Sequence, residues 1–226
     1  MDRILSAAAT HRFVTLFVAI AAISIVGCKG ILFPVAYLIQ GNNVPAKYTG
    51  LVKKRVAVIV RPPSVSINSD QQAGANELAG AISRKLRNSV KDINIIDQPE
   101  VDEWTDNLQN NVDDYAQIGE SLEADMVVVV EMEAFGLYDS TSVYRGRANY
   151  RLLVYDVKDG GRIAYDFEPQ QESVYPPSVG IPIGNKRRSE FRRIYVDILA
   201  DEVARHFYPH DTTVYFAQDS DSLKYH

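Results

Sequence analysis

Cys28 carries the only thiol of the chain, and a thiol can form a disulfide, bind a metal ion or act as a nucleophile. One cysteine among 226 residues cannot form an internal disulfide. Cys28 ends an apolar run, in the stretch AAISIVGCKG at positions 21–30, and no histidine accompanies it at a metal-ligand spacing. Its place in the chain, rather than a partner side chain, therefore has to indicate its chemistry.

The other residue types that carry chemistry form no recognisable site. His11 and His226 lie near the two ends, while His206 and His210 are four apart with Pro209 between them. We expect a helix to end there, so a histidine that favours the negative end of the helix dipole is a better interpretation than a metal pair. The chain also lacks G-x-S-x-G, phosphate-loop and H-E-x-x-H motifs. We therefore expect no enzyme activity, no cofactor and no metal site.

The composition limits the class of protein and the partners it is expected to bind. The chain is 46% hydrophobic and 23% charged, which is ordinary for a globular protein with one sizeable core. Its net charge is -5 and its isoelectric point is about 5.4, so it offers no basic field to neutralise phosphates. Nucleic acid is therefore excluded as an expected partner.

The residues before Cys28 have the order of an export signal. Residues 1–12 carry Arg3, His11 and Arg12 against a single acid, and residues 13–27 then read FVTLFVAIAAISIVG without a charge. A basic n-region, an apolar h-region and a small residue before the cleavage point are typical of secretory signal peptides. The pattern predicts export from the cytoplasm.

Residues 25–28, which read IVGC, resemble the lipobox of bacterial lipoproteins. The resemblance implies that Cys28 receives a diacylglyceryl group, that residues 1–27 are removed, and that the new N-terminus is acylated, for example with palmitate. Several acyl chains on one residue make a stable membrane anchor. Lys29, where inner-membrane lipoproteins carry Asp, implies a place in the outer membrane, facing the periplasm.

An uncleaved transmembrane helix is the alternative, because residues 31–39 are apolar too. Lys29, Gly30 and Pro34 interrupt such a helix, and the longest uncharged run is shorter than the roughly 20 apolar residues that a span requires. A single-pass anchor carrying the same domain stays open as the second interpretation.

The middle of the chain predicts a sheet with helical crossovers. Residues 55–60 and 93–97 read as buried strands, and the apolar residues 124–135 read as a third, central strand. An amphipathic helix lies between the first two, with apolar residues every fourth position and a cap at Asn68 or Ser69. The apolar stripe of this helix comprises Leu78, Ile82, Leu86 and Val90. Shorter helices are predicted at 100–109 and 113–122.

The last third changes from helical crossovers to strands joined by turns. Residues 142–157 and 162–168 alternate with period 2 around the glycine-rich stretch 158–161, which predicts an antiparallel hairpin. After a Pro/Gly loop at 173–185, an amphipathic helix runs to Pro209. The predicted fold class is α/β (α+β), a mixed sheet with early parallel β-α-β units, a later antiparallel meander and a C-terminal helix. The apolar stripe of that helix comprises Phe191, Ile194, Tyr195, Ile198, Leu199, Val203 and Phe207.

Four short motifs follow one another in a fixed order. They are a VAV strand at 56–58, an LA..I...L helix pattern from 78 to 86, an AD-x-VVV strand at 124–129 and a DVK-x-G turn at 156–160. Over roughly residues 54–207 this order resembles a superfamily of envelope proteins that includes the curli-secretion lipoprotein CsgG, lipoprotein activators of peptidoglycan synthases, the exopolysaccharide-secretion lipoprotein PelC and the N-terminal domain of TolB. The resemblance implies a non-enzymatic interaction or assembly module, accessory to secretion or cell-wall machinery.

Two charged segments are candidate contact surfaces. Residues 97–125 contain ten acidic residues and no Lys or Arg, whereas five basic residues surround the start of the last helix. Solvated helix faces explain both segments, but cations are unfavourable at a helix N-terminus, so the basic cluster is also a candidate contact for anionic lipid or an acidic partner. The acidic segment of a second copy is one such partner, and this head-to-tail contact can close a ring. The basic cluster comprises Lys186, Arg187, Arg188, Arg192 and Arg193.

The sequence therefore predicts four parts: a signal peptide at 1–27, a lipid-anchored arm and linker at 28–53, an α/β interaction domain at 54–208 and a polar tail at 209–226. The expected partners are the membrane, through the lipid on Cys28, and a protein of the envelope. A ring-forming structural oligomer is the alternative function.

Overall fold

The computed structural model describes residues 43–63, 69–107 and 115–211. All of these except Asn43 belong to one compact unit, which begins at Val44. The strands are β1 (Asn43–Val44), β2 (Arg55–Arg61), β3 (Asn94–Ile95), β4 (Met126–Ser140), β5 (Val143–Asp156), β6 (Arg162–Phe167), β7 (Ser173–Tyr175), β8 (Ile181–Pro182) and β9 (His210–Asp211). The helices are α1 (Ser69–Ser89), α2 (Gln98–Asn107), α3 (Tyr115–Ser121) and α4 (Arg188–Ala204), with a 3-10 turn at Ile183–Asn185.

The main sheet has the strand order β3-β2-β4-β5-β6, and its two halves are built differently. β2 is parallel to both β3 and β4, since each is reached through a helical crossover. β4, β5 and β6 are antiparallel neighbours joined by tight connections. The predicted mixed sheet, with parallel crossovers first and an antiparallel meander after them, is therefore confirmed, and β4 is an interior strand as predicted.

Alternate residues of the strands build two separate cores, one on each side of the sheet. Val128 and Val130 of β4 point into a large core that α1 and α4 cover, and we call this side the wide face. Val127 and Val129 point into a smaller core that α2 and α3 cover, which we call the narrow face. All four valines are fully buried, as expected for a strand that reads as an unbroken apolar run.

The apolar stripe of α1 packs on the wide face as predicted, with Leu78, Ile82 and Leu86 fully buried. α4 packs beside it, but its stripe differs from the prediction. Phe191, Tyr195, Leu199 and Val203 are buried together with Val196 and Ala200, whereas Ile194 and Ile198 are only partly buried. The helix thus carries apolar residues outside the face that meets the sheet.

The structure corrects the prediction for residues 173–185 and confirms the one for residues 158–161. The stretch 173–185, predicted as a loop, contains β7 and β8, which pair with the N-terminal half of the long β5. Pairing with β5 decides this, because three residues of strand cannot hold an extended form alone. The turn at 158–161 is confirmed, and Gly160 and Gly161 have φ of 66° and 75°, which only glycine adopts without strain.

Candidate functional site

α1 and α4 lie side by side on the wide face and run in the same direction. Asp70 contacts Arg192 near the N-terminal ends, and Lys85 contacts Asp201 near the C-terminal ends. On the side away from the sheet, the two helices leave an open groove of about 1060 Å³. We call it the α1/α4 groove.

Small residues of α1 leave room for this groove. Gly80 and Ala81 line it from α1, and a side-chain carbon added at Gly80 would have its nearest neighbour at 3.4 Å, the terminal Nη1 of Arg84. Across from them, α4 contributes Ile194 and Ile198, which are partly buried. The groove therefore combines an apolar lining with charged residues at its rim, as protein-binding surfaces commonly do.

An ion-pair network joins α1 and α4 near their N-terminal ends. Arg192 donates from Nε and Nη2 to Oε1 of Glu77, at 3.1 and 2.7 Å, and from Nη1 to Asp70 at 3.2 Å. Its side chain is only 15% exposed, so these bonds are shielded from solvent. The carboxylate of Glu77 raises the pKa of Arg192. The network ties α1 to the first turns of α4 and stabilises a cation at a helix end where the dipole disfavours it.

The five basic residues predicted as a contact cluster therefore divide into two groups. Lys186, Arg188 and Arg192 form ion pairs within the chain, to Glu190, Asp70 and Glu77 respectively. Arg187 and Arg193 are exposed and form no ion pair with a described residue. Lys186, Arg187 and Arg193 line the groove.

Arg84 also lines the groove, from α1, and the sequence interpretation did not include it. It is exposed and forms no ion pair within the described ranges. The glycine at position 80, inside a predicted helix, is a sequence signal for this surface. Ile194 and Ile198 carried no such signal, because the sequence places them in the apolar stripe of the last helix.

The described parts of the acidic segment, 97–107 and 115–125, lie on the other side of the sheet, where α2 and α3 cover the narrow face. Several of its carboxylates are already used: Asp97 pairs with Arg87 at 2.9 Å, and Glu100 lies 3.5 Å from Arg55. Asp125 accepts a bond from the backbone N–H of Arg55 and pairs with Lys158, and these donors lower its pKa. Glu103, Glu120 and Glu123 are exposed.

A second cluster lies where the segment before β2 packs on the domain. The backbone N–H of Tyr48 donates to the carbonyl of His206 at 2.9 Å, and Lys47 lies over the ring of Phe167 at 4.3 Å. Leu51 is fully buried. This segment therefore packs against β6 and the residues just beyond the end of α4.

His206 lies in that cluster, beyond the end of α4, and is 5% exposed. Its Nδ1 lies 2.8 Å from the hydroxyl of Tyr165. Burial, with the nearby charge of Lys47, lowers its pKa to about 4, so the ring is neutral at pH 7. The prediction of a cationic histidine at the helix end is therefore wrong, because the ring packs inward against Phe167 instead of facing solvent.

The remaining predictions on chemistry concern metals and the membrane. Within the described ranges, no three His, Cys, Asp or Glu side chains are grouped as a metal site. None of the described helices combines the length and apolar character needed to cross a membrane. Cys28 and the segments 1–27 and 212–226 lie outside the described residues.

No protein-family profile and no curated protein matches the chain. Solved structures similar to it include a substituted PelC dodecamer from Paraburkholderia phytofirmans, with a TM-score of 0.44 and 10% identity over 73% of this chain and 96% of that one. The lipoprotein GNA1162 from Neisseria meningitidis is similar with a TM-score of 0.40 and 9% identity, over 66% and 97% of the two chains. The C-terminal domain of LpoB from Salmonella enterica has a TM-score of 0.35 and 13% identity, over 62% and 90%. Bacterial lipoproteins are thus among the structures that this chain resembles.

Proposed function

We propose that this chain is a lipid-anchored protein of the bacterial cell envelope whose domain binds another protein and catalyses no reaction. The observation that carries the proposal is the α1/α4 groove, where Ile194 and Ile198 are partly exposed beside the exposed Arg84, Arg187 and Arg193. A surface with apolar residues at its centre and arginines at its rim suits a protein partner better than a small substrate.

The anchor is the second part of the proposal. The signal-like segment and the residues IVGC at 25–28 support lipid attachment at Cys28, and Lys29 supports the outer membrane as its destination. Because the domain begins at Val44, about 15 residues separate it from the lipid, a connector long enough to span several tens of ångströms when extended. An anchored module with this reach fits an accessory role in secretion or cell-wall assembly.

Photo-crosslinking in intact cells tests the binding surface. A photoreactive phenylalanine analogue at Ile198 is expected to capture a defined protein, whereas the same analogue at Glu103 of α2, on the narrow face, is not. Both positions belong to surface helices, so the pair differs mainly in the side of the sheet. Equal capture at both positions, or none at Ile198, contradicts the proposal.

The anchor is tested separately with Cys28→Ala. We expect the wild-type protein to be membrane-bound with an acylated N-terminal cysteine by mass spectrometry, and the variant to lose the acyl groups. If the variant stays in the membrane and the wild-type N-terminus is uncleaved, the single-pass anchor is the correct interpretation instead.

A ring-forming oligomer is a second candidate function, and one observation favours it. The exposed acids of α2 and α3 lie on the opposite side of the sheet from Arg84, Arg187 and Arg193 of the groove, which form no ion pair in the part of the chain that the structure describes. Such faces can meet head to tail, in a heterologous contact that is able to close. Light scattering of the detergent-solubilised protein distinguishes the two, because a ring requires a defined multiple of the chain mass and the interaction module does not.

A further inference from the structure

The charges of the α1/α4 groove are not balanced. Each acidic residue that lines it already has a basic partner, whereas three of its arginines have none among the described residues. The pairs are Glu77 with Arg192 at 2.7 Å, Glu190 with Lys186 at 3.2 Å and Asp197 with Lys85 at 3.2 Å. The arginines left over are Arg84, Arg187 and Arg193, and all three are exposed.

We infer that the α1/α4 groove binds an acidic segment of a partner protein, whose carboxylates contact Arg84, Arg187 and Arg193. The inference rests on the proposed function and adds the chemistry of the partner. Arginine supports it, since the planar guanidinium binds a carboxylate through two parallel hydrogen bonds, with more geometric specificity than lysine.

The apolar part of the groove defines the rest of the segment. Ile194 and Ile198 lie one turn apart on α4, between Arg193 and the C-terminal half of the helix. The lining of α4 from Ser189 to Ile198 spans about 14 Å, which an extended peptide of about four or five residues covers. The partner segment therefore carries aliphatic side chains between its acids.

The form of the site indicates the class of partner. The α1/α4 groove is concave and is lined from both helices by apolar residues between charged ones. This form favours a peptide chain over the flat anionic surface of a membrane.

The experiment uses the full chain in detergent and two synthetic probes. The first is a fluorescein-labelled peptide of about 12 residues in which Glu and Asp alternate with Leu and Ala. The second has the same sequence with Gln and Asn in place of the acids. Fluorescence anisotropy is measured for the wild type, for Arg84→Glu, for Arg193→Glu, and for Lys91→Glu as the control. Lys91 is an exposed cation outside the groove, and its reversal changes the net charge by the same amount.

We expect the acidic probe to bind the wild type and the neutral probe to bind at least about tenfold more weakly. Each of Arg84→Glu and Arg193→Glu should lower the affinity for the acidic probe by about fivefold or more. Lys91→Glu should lower that affinity by less than about twofold. Equal weakening by all three variants means that net charge alone attracts the probe, and it overturns the inference.

The remaining outcomes separate this inference from the proposed function. If neither probe binds but the photoreactive residue at position 198 still captures a protein, the groove binds a partner of other chemistry and only the inference fails. If anionic vesicles of phosphatidylglycerol bind in place of the peptide, and the arginine reversals abolish that binding, the arginines contact the membrane and the inference is overturned. If position 198 captures nothing, the proposed function fails as well.

Discussion

The two faces of the sheet are built from alternate residues of the same strands, yet they are covered differently. Two long helices cover the wide face and leave the α1/α4 groove between them, whereas the short α3 and the acidic α2 cover the narrow face. On the first side lie arginines that have no ion-pair partner in the described ranges, and on the second lie exposed acids. The wide face therefore carries both the larger core and the candidate binding surface. We expect substitutions on that face to have the larger effects on the free energy of unfolding.

The largest expected effect comes from matched cavities in the two cores. Leu199 and Ile118 are both fully buried, on the wide and the narrow face respectively. We expect Leu199→Ala to lower the free energy of unfolding by about 4 kcal/mol, and Ile118→Ala by about 2 kcal/mol, because the short α3 can shift to fill its cavity. Urea unfolding at an unchanged m-value measures both. An equal or larger loss for Ile118→Ala would show that the narrow face is the more rigid side.

The next effect concerns ion pairs on the two faces. Arg192 is 15% exposed and bonds to two carboxylates, whereas Arg151 bonds to Asp166 at 2.9 and 2.6 Å but is 43% exposed. Removing Arg192 deprives Glu77 of its cation and leaves Asp70 paired with Arg188, so we expect Arg192→Ala to cost about 2 kcal/mol. Arg151→Ala should cost less than about 1 kcal/mol, since solvent screens that pair.

Thermal and urea unfolding of the two arginine variants measure the difference. High salt is the control, because it should reduce the effect of the exposed pair more than that of the shielded network. A cost for Arg151→Ala that equals the cost for Arg192→Ala would contradict the assignment of the network to the stability of the wide face.

The pH dependence of stability distinguishes the contribution of His206 from that of Asp125, which precedes β4. The pKa of His206 is lowered from 6.5 to about 4, so the unfolded chain binds a proton that the folded domain does not. The stability is therefore complete above pH 6.5 and falls as the pH drops towards 4, by about 2 kcal/mol. The pKa of Asp125 is lowered from 3.8, and its contribution is lost only in more acidic solution.

His206→Gln keeps a hydrogen-bonding group next to Tyr165 and removes the titration. We expect its stability to vary less than that of the wild type between pH 6.5 and pH 4, when urea midpoints are compared across that window. An unchanged pH dependence would mean that another group titrates there.

The smallest expected effects come from two Gly→Ala substitutions, one of which should stabilise the domain and the other destabilise it. A side-chain carbon at Gly80 meets only the mobile end of Arg84, so Gly80→Ala should stabilise α1 by about 0.5–1 kcal/mol. At Gly119 of α3 the same carbon would lie 2.4 Å from Cγ2 of Val157 and 2.7 Å from Cγ2 of Val127. Gly119→Ala should therefore destabilise the domain, by about 1 kcal/mol or more, although both positions are helical. Melting temperatures of the two variants check the signs.

Much of the fold was predictable because each element has a local periodic signal. The four-residue spacing of α1 and the unbroken apolar run of β4 predict their type and their burial, and the glycines at 160 and 161 predict the hairpin. β7 and β8 escaped prediction, since each has two or three residues and exists only through its pairing with β5. Short strands carry too few residues to show a period.

The candidate site was predictable in part. The basic cluster before and within α4 was visible as a run of residue types. Its division into Arg192, which holds two helices together, and Arg193, which forms no ion pair with a described residue, was not visible. That division depends on Asp70 and Glu77, which are more than 100 positions away. Arg84 joins the surface for the same reason.

The sequence by itself determined the types of the long elements and the mixed sheet, because local periodicity suffices for these. The order of charged and apolar residues before Cys28 predicts an export signal. Only the tertiary structure decided which side chains are neutral, paired or unpartnered. His206 is neutral because the packed domain removes it from water, and the α1/α4 groove exists because two helices bring Gly80 and Ile198 to one surface. Burial and long-range contact depend on residues distant in the chain, and no local pattern records them.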